Sequence, residues 1–184
     1  MTRHNSVYIR PYIESDFSGV HAAFNSLGHD PSTLELWRRY FPAGWSEEGV
    51  RDELSALSVS RDPVNLVAIH EERVVGLIAG HDLKTQARLQ LPHLAALFEQ
   101  RPGTDGAFYQ RDIVLRPDFQ IRNTALALSD ALLRHAKERG YTSIVTRTPP
   151  LNSTGIHFFL KQGYEEIFRD RRPDRVYFLK SLTV

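Results

Sequence analysis

The chain has 184 residues, of which 41% are hydrophobic and 24% are charged, a balance typical of a globular domain with a sizeable core. Its formal net charge of +1 predicts no nucleic-acid partner, and the absence of cysteine excludes disulfides, thiolate metal sites and a cysteine nucleophile. No apolar run approaches the roughly 20 residues of a membrane span, and residues 1–6 lack a signal-peptide core, so we expect a cytoplasmic protein with no membrane partner.

The N-terminal part of the sequence predicts a strand followed by helical pieces. Residues 7–11 suit an opening strand, and Ser15 is expected to cap a helix that ends near Gly28. Ser46 is expected to cap a later helix, because two glutamates follow it in the first turn. Between these helices, helical spacing indicates a further piece whose apolar stripe holds Leu34, Trp37 and Phe41.

The middle of the sequence predicts a hairpin and then an insertion. Residues 65–70 and 74–83 read as two strands, with 71–73 as the turn between them. Residues 84–106 interrupt the strand pattern, and Pro92 suits the first position of a helix. The apolar face of that helix would consist of Leu94, Leu97 and Phe98.

The second half predicts a strand-helix-strand unit. Residues 108–115 and 143–148 form strands, and 125–139 form the most regular helix, so the unit is expected to cross over between parallel strands. Asn152 or Ser153 then caps a helix bearing Ile156, Phe159 and Leu160. A closing hairpin is expected from residues 165–169 and 175–182. The element order predicts a mixed α/β sheet.

The connection after the third predicted strand suits an anion. The apolar segment stops at Pro117, a short loop follows, and Asn123 is a residue that tolerates positive φ. A helix begins directly afterwards, so several free backbone N–H groups and the positive end of the helix would point at one place. Such an arrangement suits a phosphate group.

Two motifs in residues 107–164 resemble the signatures of the GNAT superfamily of acyl-CoA-dependent N-acyltransferases. In that family a strand and an x-Pro step lead to Gln/Arg-x-x-Gly-x-Gly/Ala at the start of a helix, and Gln120, Asn123 and Ala125 occupy these places here. The second signature is an asparagine, a small residue and an aromatic-rich helix ending in Lys-x-Gly-Phe/Tyr. It is matched here by Asn152, Gly155, Phe158, Phe159, Lys161, Gly163 and Tyr164.

The resemblance implies a fold and a co-substrate. The fold is a central, mostly antiparallel sheet, splayed at one parallel strand pair and flanked by helices, in a single domain over residues 1–184 with a helical insertion at about 84–106. Acetyl-CoA or another acyl-CoA would place its diphosphate on the turn and its sulfur between two neighbouring strands; no metal is implied. The residues implied in cofactor binding are Val114, Leu115, Gln120, Ile121, Arg122, Asn123, Thr124, Ala125, Asn152 and Phe159.

The resemblance also implies direct attack of an amine, from a small molecule or a protein, on the bound thioester. Asp112 is the expected base, with an ion pair to Arg111 or another arginine as the alternative, and Tyr109 is a second catalytic candidate. Phe159 stands where the family usually has a tyrosine, and phenylalanine cannot donate a proton. The leaving thiolate would be protonated by water or by a tyrosine such as Tyr164 or Tyr109, or would leave without such help.

Several residues keep two interpretations. Arg122 can bind a phosphate or remain solvated, and Asn152 can contact the cofactor or only cap its helix. His81 and Asp82 can border the acceptor cavity, and a lone surface histidine is the alternative for His81. The insertion can roof the acceptor pocket or form a homodimer contact. A cluster of aromatic residues can pack in the core or form a wall of the acceptor site. Its members are Trp37, Tyr40, Phe41 and Trp45.

Two other functions compete with the transferase. The substitutions at Phe159 and Asn123 would suit an acyl-CoA-binding sensor or scaffold that performs no catalysis. An α/β protein that binds a different phosphate-bearing ligand is the third possibility.

Overall fold

The computed structural model describes residues 7–27, 39, 45–56, 61–89, 95–120, 123–171 and 174–182. Some sequence-based predictions fall outside these residues. They include the cofactor contacts of Ile121 and Arg122, the helical stripe of Leu34, Trp37 and Phe41, and the roles of Tyr40, Pro92 and Leu94.

The described strands form one mixed sheet. They are β1 (Tyr8–Pro11), β2 (Val64–His70), β3 (Arg73–Asp82), β4 (Ala107–Leu115), β5 (Ser143–Thr148), β6 (Glu165–Arg171) and β7 (Asp174–Ser181). Within the described residues the order across the seven-stranded sheet is β1-β2-β3-β4-β5-β7-β6. The described α-helices are α1 (Phe17–Leu27), α2 (Glu47–Ala56), α3 (Leu83–Leu89), α4 (Ala95–Glu99), α5 (Thr124–Glu138) and α6 (Ser153–Lys161).

Strands β4 and β5 form the parallel pair that the crossover predicted. Their ladder runs from the Ala107–Ser143 pair to the Gln110–Thr146 pair, and β4 continues past it to Leu115. The pairs β1–β2, β5–β7 and β6–β7 are antiparallel. The predicted α/β fold, with a mostly antiparallel sheet splayed at one parallel pair and flanked by helices, is confirmed.

The chain divides into two compact units. Unit 1 consists of the described residues of Met1–Ser58, Val64–Ala79 and Asp112–Leu132. Its core joins helix α1 to strands β2 and β3 through buried side chains that include Phe17, Val20, Phe24, Val67, Ile69 and Leu77. Trp45 packs against this core with its ring 4.9 Å from that of Phe24, which confirms the core interpretation for this member of the aromatic cluster.

Unit 2 consists of the described residues of Val59–Pro63, Gly80–Arg111 and Leu133–Val184. The insertion supplies part of its core: Leu83 and Ala87 of α3 and Phe98 of α4 are buried with Tyr109 and Tyr177. Packing within the unit is therefore the role of these side chains, whereas the sequence suggested a roof or a dimer contact. Helix α3 was not predicted; it starts where the Asp82 carboxylate accepts a hydrogen bond from the Thr85 N–H, 2.8 Å away.

Local caps and turns explain several boundaries. Glu71 and Glu72 have φ of 46° and 64°, as a tight hairpin turn requires. The Ser46 hydroxyl accepts from the Gly49 N–H at 3.0 Å, so its predicted cap is confirmed. The Ser15 cap is wrong: the Asp16 carboxylate, held by the Arg10 guanidinium, accepts from the Ile13 N–H at 2.9 Å and starts the helical turn earlier. No α-helix among the described residues is long and apolar enough to cross a membrane.

Candidate active site

The predicted anion-binding turn lies in unit 1. We call the described residues Arg116–Gln120 and Asn123–Ala125 the phosphate turn. Its start is tied to β3 by the Arg116 N–H, which donates to the Val75 carbonyl at 2.9 Å. A single 3₁₀ turn follows at Pro117–Phe119, and the Phe119 ring is buried with its centroid 5.0 Å from that of His70. These contacts hold the start of the loop against unit 1.

Asn123 adopts the left-handed conformation that the sequence predicted for it, with φ of 57°. Its carbonyl accepts the first hydrogen bond of α5, from the Ala127 N–H at 3.0 Å. The N–H groups of the first helical turn therefore have no intrahelical acceptor and carry the positive end of the helix dipole. Thr124 is 1% exposed, and its hydroxyl has no hydrogen-bond partner among the described residues. The turn can bind an anion mainly through its backbone.

Packing holds the start of α5 in place. Leu128 and Leu132 of this helix are fully buried. Strand β3 passes very close to the end of β4: a Cβ on Gly76 would lie 2.6 Å from Leu115 Cδ2 and 2.9 Å from the Val114 carbonyl. Val114 and Leu115 are buried on this strand and Asp112 is half-buried, so the segment that leads into the phosphate turn is firmly placed.

A second group of predicted residues lies in unit 2, where the β4–β5 ladder ends. We call Gln110, Thr146, Phe159 and Tyr164 the ladder-end cluster, and all four are at least 96% buried. The Tyr164 hydroxyl donates to Gln110 Oε1 at 3.4 Å. The amide nitrogen of Gln110 is buried and has no hydrogen-bond partner among the described residues. The Phe159 ring packs 5.4 Å from Tyr164 and 5.6 Å from Phe178.

Asn152 is the N-cap residue of α6. Its Oδ1 accepts from the Gly155 N–H at 2.9 Å, and its Nδ2 donates to the Thr148 hydroxyl at 2.8 Å. The capping interpretation is therefore confirmed, and a contact with the cofactor stays a prediction. Leu160 of the same helix is 50% exposed. The turn of the helix places Ile156 and Phe159 further inward instead.

His81 and Tyr109 are brought together in unit 2. Their rings meet edge to face at 5.9 Å, and both side chains are buried, so the surface interpretation of His81 is wrong. His81 Nε2 lies 2.8 Å from Gln86 Oε1 and carries the proton, because an amide oxygen can only accept. Burial lowers the pKa of His81, against the opposing effects of Gln86 and Asp82. The imidazole is thus neutral at pH 7.

The sequence-predicted residues are thus divided between the units. Unit 1 holds Asp112, Val114, Leu115, Gln120, Asn123, Thr124 and Ala125, and unit 2 holds Tyr109, Asn152 and Phe159. Sequence reasoning missed Gln110 and Gln86. A signal for Gln110 was available, since a lone glutamine stands directly after three apolar residues that open a strand; Gln86 carried none, because helix α3 itself was not predicted.

Comparison with known proteins agrees with the geometry. A model of the acetyltransferase (GNAT) family matches residues 31–164. Among solved structures, the chain is similar to the PaiA N-acetyltransferase from Thermoplasma acidophilum in complex with coenzyme A, at 15% identity over 96% of this chain and 99% of that one, with a TM-score of 0.67.

Two further solved structures give comparable values. An N-acetyltransferase from Staphylococcus aureus Mu50 is 13% identical over 97% of this chain and 99% of that one, with a TM-score of 0.67. A GCN5-related N-acetyltransferase from Kribbella flavida is 12% identical over 95% and 97%, with a TM-score of 0.65. At such identities these structures support the fold alone. No curated protein matches the sequence significantly.

Proposed function

The chain belongs to the GNAT family of acetyltransferases, and on that premise we propose that it transfers an acetyl group from acetyl-CoA, or another acyl group from its CoA ester, to a primary amine. Membership places it in the class of acyl-CoA-dependent acetyltransferases. The acceptor in this proposal is an amine of a small molecule or of a protein, and the amine attacks the bound thioester directly. The cytoplasm as location and a homodimer as assembly both stay predictions.

The phosphate turn is the observation that carries this proposal. Asn123 at φ of 57° and the free first turn of α5 suit a diphosphate, because the N–H groups at the start of a helix point in one direction and carry the positive end of its dipole. Thr124 and Ala125 would hold the diphosphate through their amides, and Gln120 would border it. Acyl-CoA supplies the activated acyl group. The described residues fit such a ligand because the N–H groups of the first turn of α5 have no intrahelical acceptor.

Four residues of β4 are proposed for the chemistry. Asp112, half-buried, would accept the proton that the amine loses, directly or through water. The backbone N–H groups of Val114 and Leu115 would donate to the oxygen on which negative charge develops. Tyr109 is the second catalytic candidate; its complete burial against His81 supports a role in shaping the site as much as one in proton transfer.

Two measurements test the proposal. Isothermal titration with CoA tests the turn, and CoA at about 100 times its dissociation constant should stabilise the fold by roughly 2.7 kcal/mol. Incubation with acetyl-CoA and a panel of polyamines, amino acids, aminoglycosides and peptides should release free thiol with at least one amine. A protein that shows no heat with any CoA ester would contradict the proposal at its first step.

Asp112 separates a transferase from a binding module. The variant Asp112→Asn keeps the shape of the side chain and removes the base, so we expect unchanged CoA binding and a fall in kcat of about 100-fold, within the range typical of general bases. A protein that binds CoA, releases no thiol with any amine and is indifferent to Asp112→Asn would be the non-catalytic sensor or scaffold instead.

A further inference from the structure

We propose that His70 couples anion binding at the phosphate turn to the uptake of a proton, so that a CoA ester binds more tightly at pH 6 than at pH 8. The inference rests on the proposed function and describes how pH regulates the same site. It needs only residues of unit 1, because His70, Phe119 and the start of α5 all belong to that unit.

The position of His70 next to the phosphate turn supports this role. His70 is the last residue of β2 and is 8% exposed. Its ring centroid lies 5.0 Å from that of Phe119, which is itself a buried residue of the turn. Because the imidazole is buried beside the turn, water screens it little from a charge that is bound there.

Packing alone does not explain an imidazole at this position. Its Nδ1 atom is buried and has no hydrogen-bond partner among the described residues, and Nε2 lies 3.9 Å from Glu71 Oε1, beyond hydrogen-bond distance. A phenylalanine would fill similar space against Phe119 without leaving a buried polar atom unsatisfied. Histidine differs from phenylalanine because its charge changes near neutral pH, and the Glu71 carboxylate can pair with an imidazolium. The ring is therefore suited to a charge that depends on pH and on a nearby anion.

The charged side chains of the surrounding elements supply little net negative charge at the turn. Those of the β2–β3 hairpin turn and of the phosphate turn, among the described residues, are Glu71, Glu72, Arg73, Arg116 and Asp118. Arg116 Nε lies 3.4 Å from Asp118 Oδ1, so these two charges largely cancel. Strand β1 places Tyr8 and Arg10 on the opposite face of the sheet from His70, and the first turn of α5 contains no acidic residue. A bound diphosphate would then be the main anion at the turn and would stabilise an imidazolium at His70.

Linkage determines the sign of the effect. If a bound diphosphate stabilises the protonated ring, the protonated ring must stabilise the bound diphosphate by the same free energy. The affinity is therefore highest at a pH at which His70 is protonated in the complex, and it falls as the pH rises and this proton is lost. A site of backbone N–H groups alone would show no such dependence, because amides do not titrate near neutrality.

The test uses the whole chain and dephospho-CoA, the coenzyme without its ribose phosphate. The diphosphate of this probe keeps a constant charge between about pH 6 and pH 8, whereas the ribose phosphate of CoA itself titrates near pH 6. Calorimetry in buffers with different ionisation enthalpies gives the number of protons taken up for each ligand bound. We expect the wild-type protein to take up about 0.3–0.5 of a proton at pH 6.5, and its affinity to fall about 3- to 10-fold from pH 6 to pH 8.

Replacing the histidine should remove the effect. His70→Gln should take up almost no proton, and its affinity should change by less than about twofold over the same pH range. His157→Gln replaces an exposed histidine of α6 in unit 2 and is the matched control, which should behave as the wild type. Should His70→Gln fail to fold, His70→Phe keeps an aromatic ring against Phe119 and should likewise lose the proton uptake.

Nitrogen NMR of the wild-type protein with labelled histidine measures the proton directly. The ring resonance that disappears in His70→Phe should titrate about 0.5–1 pH unit higher when dephospho-CoA is bound. Binding of dephospho-CoA without proton uptake, or wild-type uptake in His70→Gln, would overturn the inference while the proposed function stands. Binding of CoA but not of dephospho-CoA would overturn it as well, because recognition would then depend on the ribose phosphate. If the wild-type protein binds neither CoA, acetyl-CoA nor dephospho-CoA, the proposed function has failed and this inference fails with it.

Discussion

The phosphate turn of unit 1 offers backbone groups to a ligand, whereas the ladder-end cluster of unit 2 consists of side chains. The turn presents backbone N–H groups, so its shape depends on φ angles and on the start of α5, and Asn123 takes the left-handed conformation that glycine usually supplies. The ladder-end cluster presents side chains, and a single replaced ring, Phe159, removes a donor. Backbone sites tolerate substitution where the conformation survives, whereas side-chain sites need compensation.

The largest effect on CoA affinity is expected from a negative charge added to the phosphate turn. Ala125→Asp places a carboxylate in the first turn of α5, where the helix dipole should stabilise the fold by about 0.3–1 kcal/mol. The same charge repels a diphosphate, so we expect CoA affinity to fall about 100-fold or more, equivalent to about 2.7 kcal/mol. Calorimetry with CoA and thermal unfolding measure the two effects in opposite directions.

Ala125→Asn is the matched control, because it adds nearly the same volume without charge. It should weaken CoA binding much less than the aspartate does. A parallel loss of affinity and stability in Ala125→Asp would mean that the turn is held by its side-chain packing, and the contrast between the two regions would then disappear.

Gly76 and Gly80 of β3 lie against different halves of β4, so replacing each glycine tests one half. A Cβ on Gly80 would lie 2.4 Å from Phe108 Cε1 and 2.6 Å from the Tyr109 carbonyl, beside the ladder. We expect Gly80→Ala to destabilise the protein by about 1–3 kcal/mol, measured by urea unfolding. Gly76→Ala meets Leu115 and the Val114 carbonyl and should cost a similar amount.

The two alanine variants should differ in function. Gly80→Ala should mainly lower kcat, because it displaces the backbone at Tyr109, the second catalytic candidate. Gly76→Ala should mainly weaken CoA binding, because it displaces the segment that leads into the phosphate turn. Equal effects of both variants on both constants would show that the two regions respond as one.

Asn123 tests the backbone character of the turn directly. Asn123→Gly keeps positive φ accessible and should leave CoA affinity within about threefold. Asn123→Val forces a β-branched residue into the left-handed region, which costs roughly 1–2 kcal/mol, so affinity or stability should fall by a corresponding tenfold or so. Calorimetry and thermal unfolding together show where the strain is released. Identical behaviour of the two variants would argue that φ at this position is not under constraint.

The smallest expected effect is that of acidification, which should lower the stability of unit 2 at a higher pH than that of unit 1. Burial lowers the pKa of His81 and of His135 below the ordinary 6.5, so the stability they contribute is present above that value and is lost as pH falls through their folded pKa values. In unit 1, the Arg10 guanidinium lowers the pKa of Asp16 below its ordinary 3.8, and that stability is lost only at more acidic pH.

Hydrogen exchange followed by mass spectrometry, corrected for intrinsic rates, measures this order. Peptides of β4, β5 and β7 within unit 2 should lose protection as the pH falls below 6.5, before peptides of β1 and α1 do so. Earlier loss of protection in peptides of β1 and α1 would contradict this prediction.

The fold could be predicted from sequence where local signals were strong. Helix α5 and strands β4 and β5 lie within a residue of their expected bounds, because the helix has a continuous apolar stripe and both strands end at prolines or polar loops. The insertion could not be predicted in detail: α3 begins only because Asp82 caps it, and Leu83, Ala87 and Phe98 gain their role from partners far away in the chain.

The candidate site also contains residues that the sequence predicted correctly and residues that it did not. Asn123 and the start of α5 follow from residue type and order, and the family signatures located them. Ser15 failed as a cap because Arg10, six residues before Asp16, holds the competing carboxylate, and His81 failed as a surface residue because Gln86 and Tyr109 cover it.

The amino-acid sequence by itself determined the order of the described strands along the chain, the left-handed turn before α5 and the family, since these depend on neighbours in the chain and on the conformations that each residue type allows. Only the tertiary structure decided that Tyr164 meets Gln110, that the insertion belongs to a core and that the parallel ladder ends at Gln110. Such contacts join residues distant in sequence, and their energies come from burial and packing, which no local pattern contains.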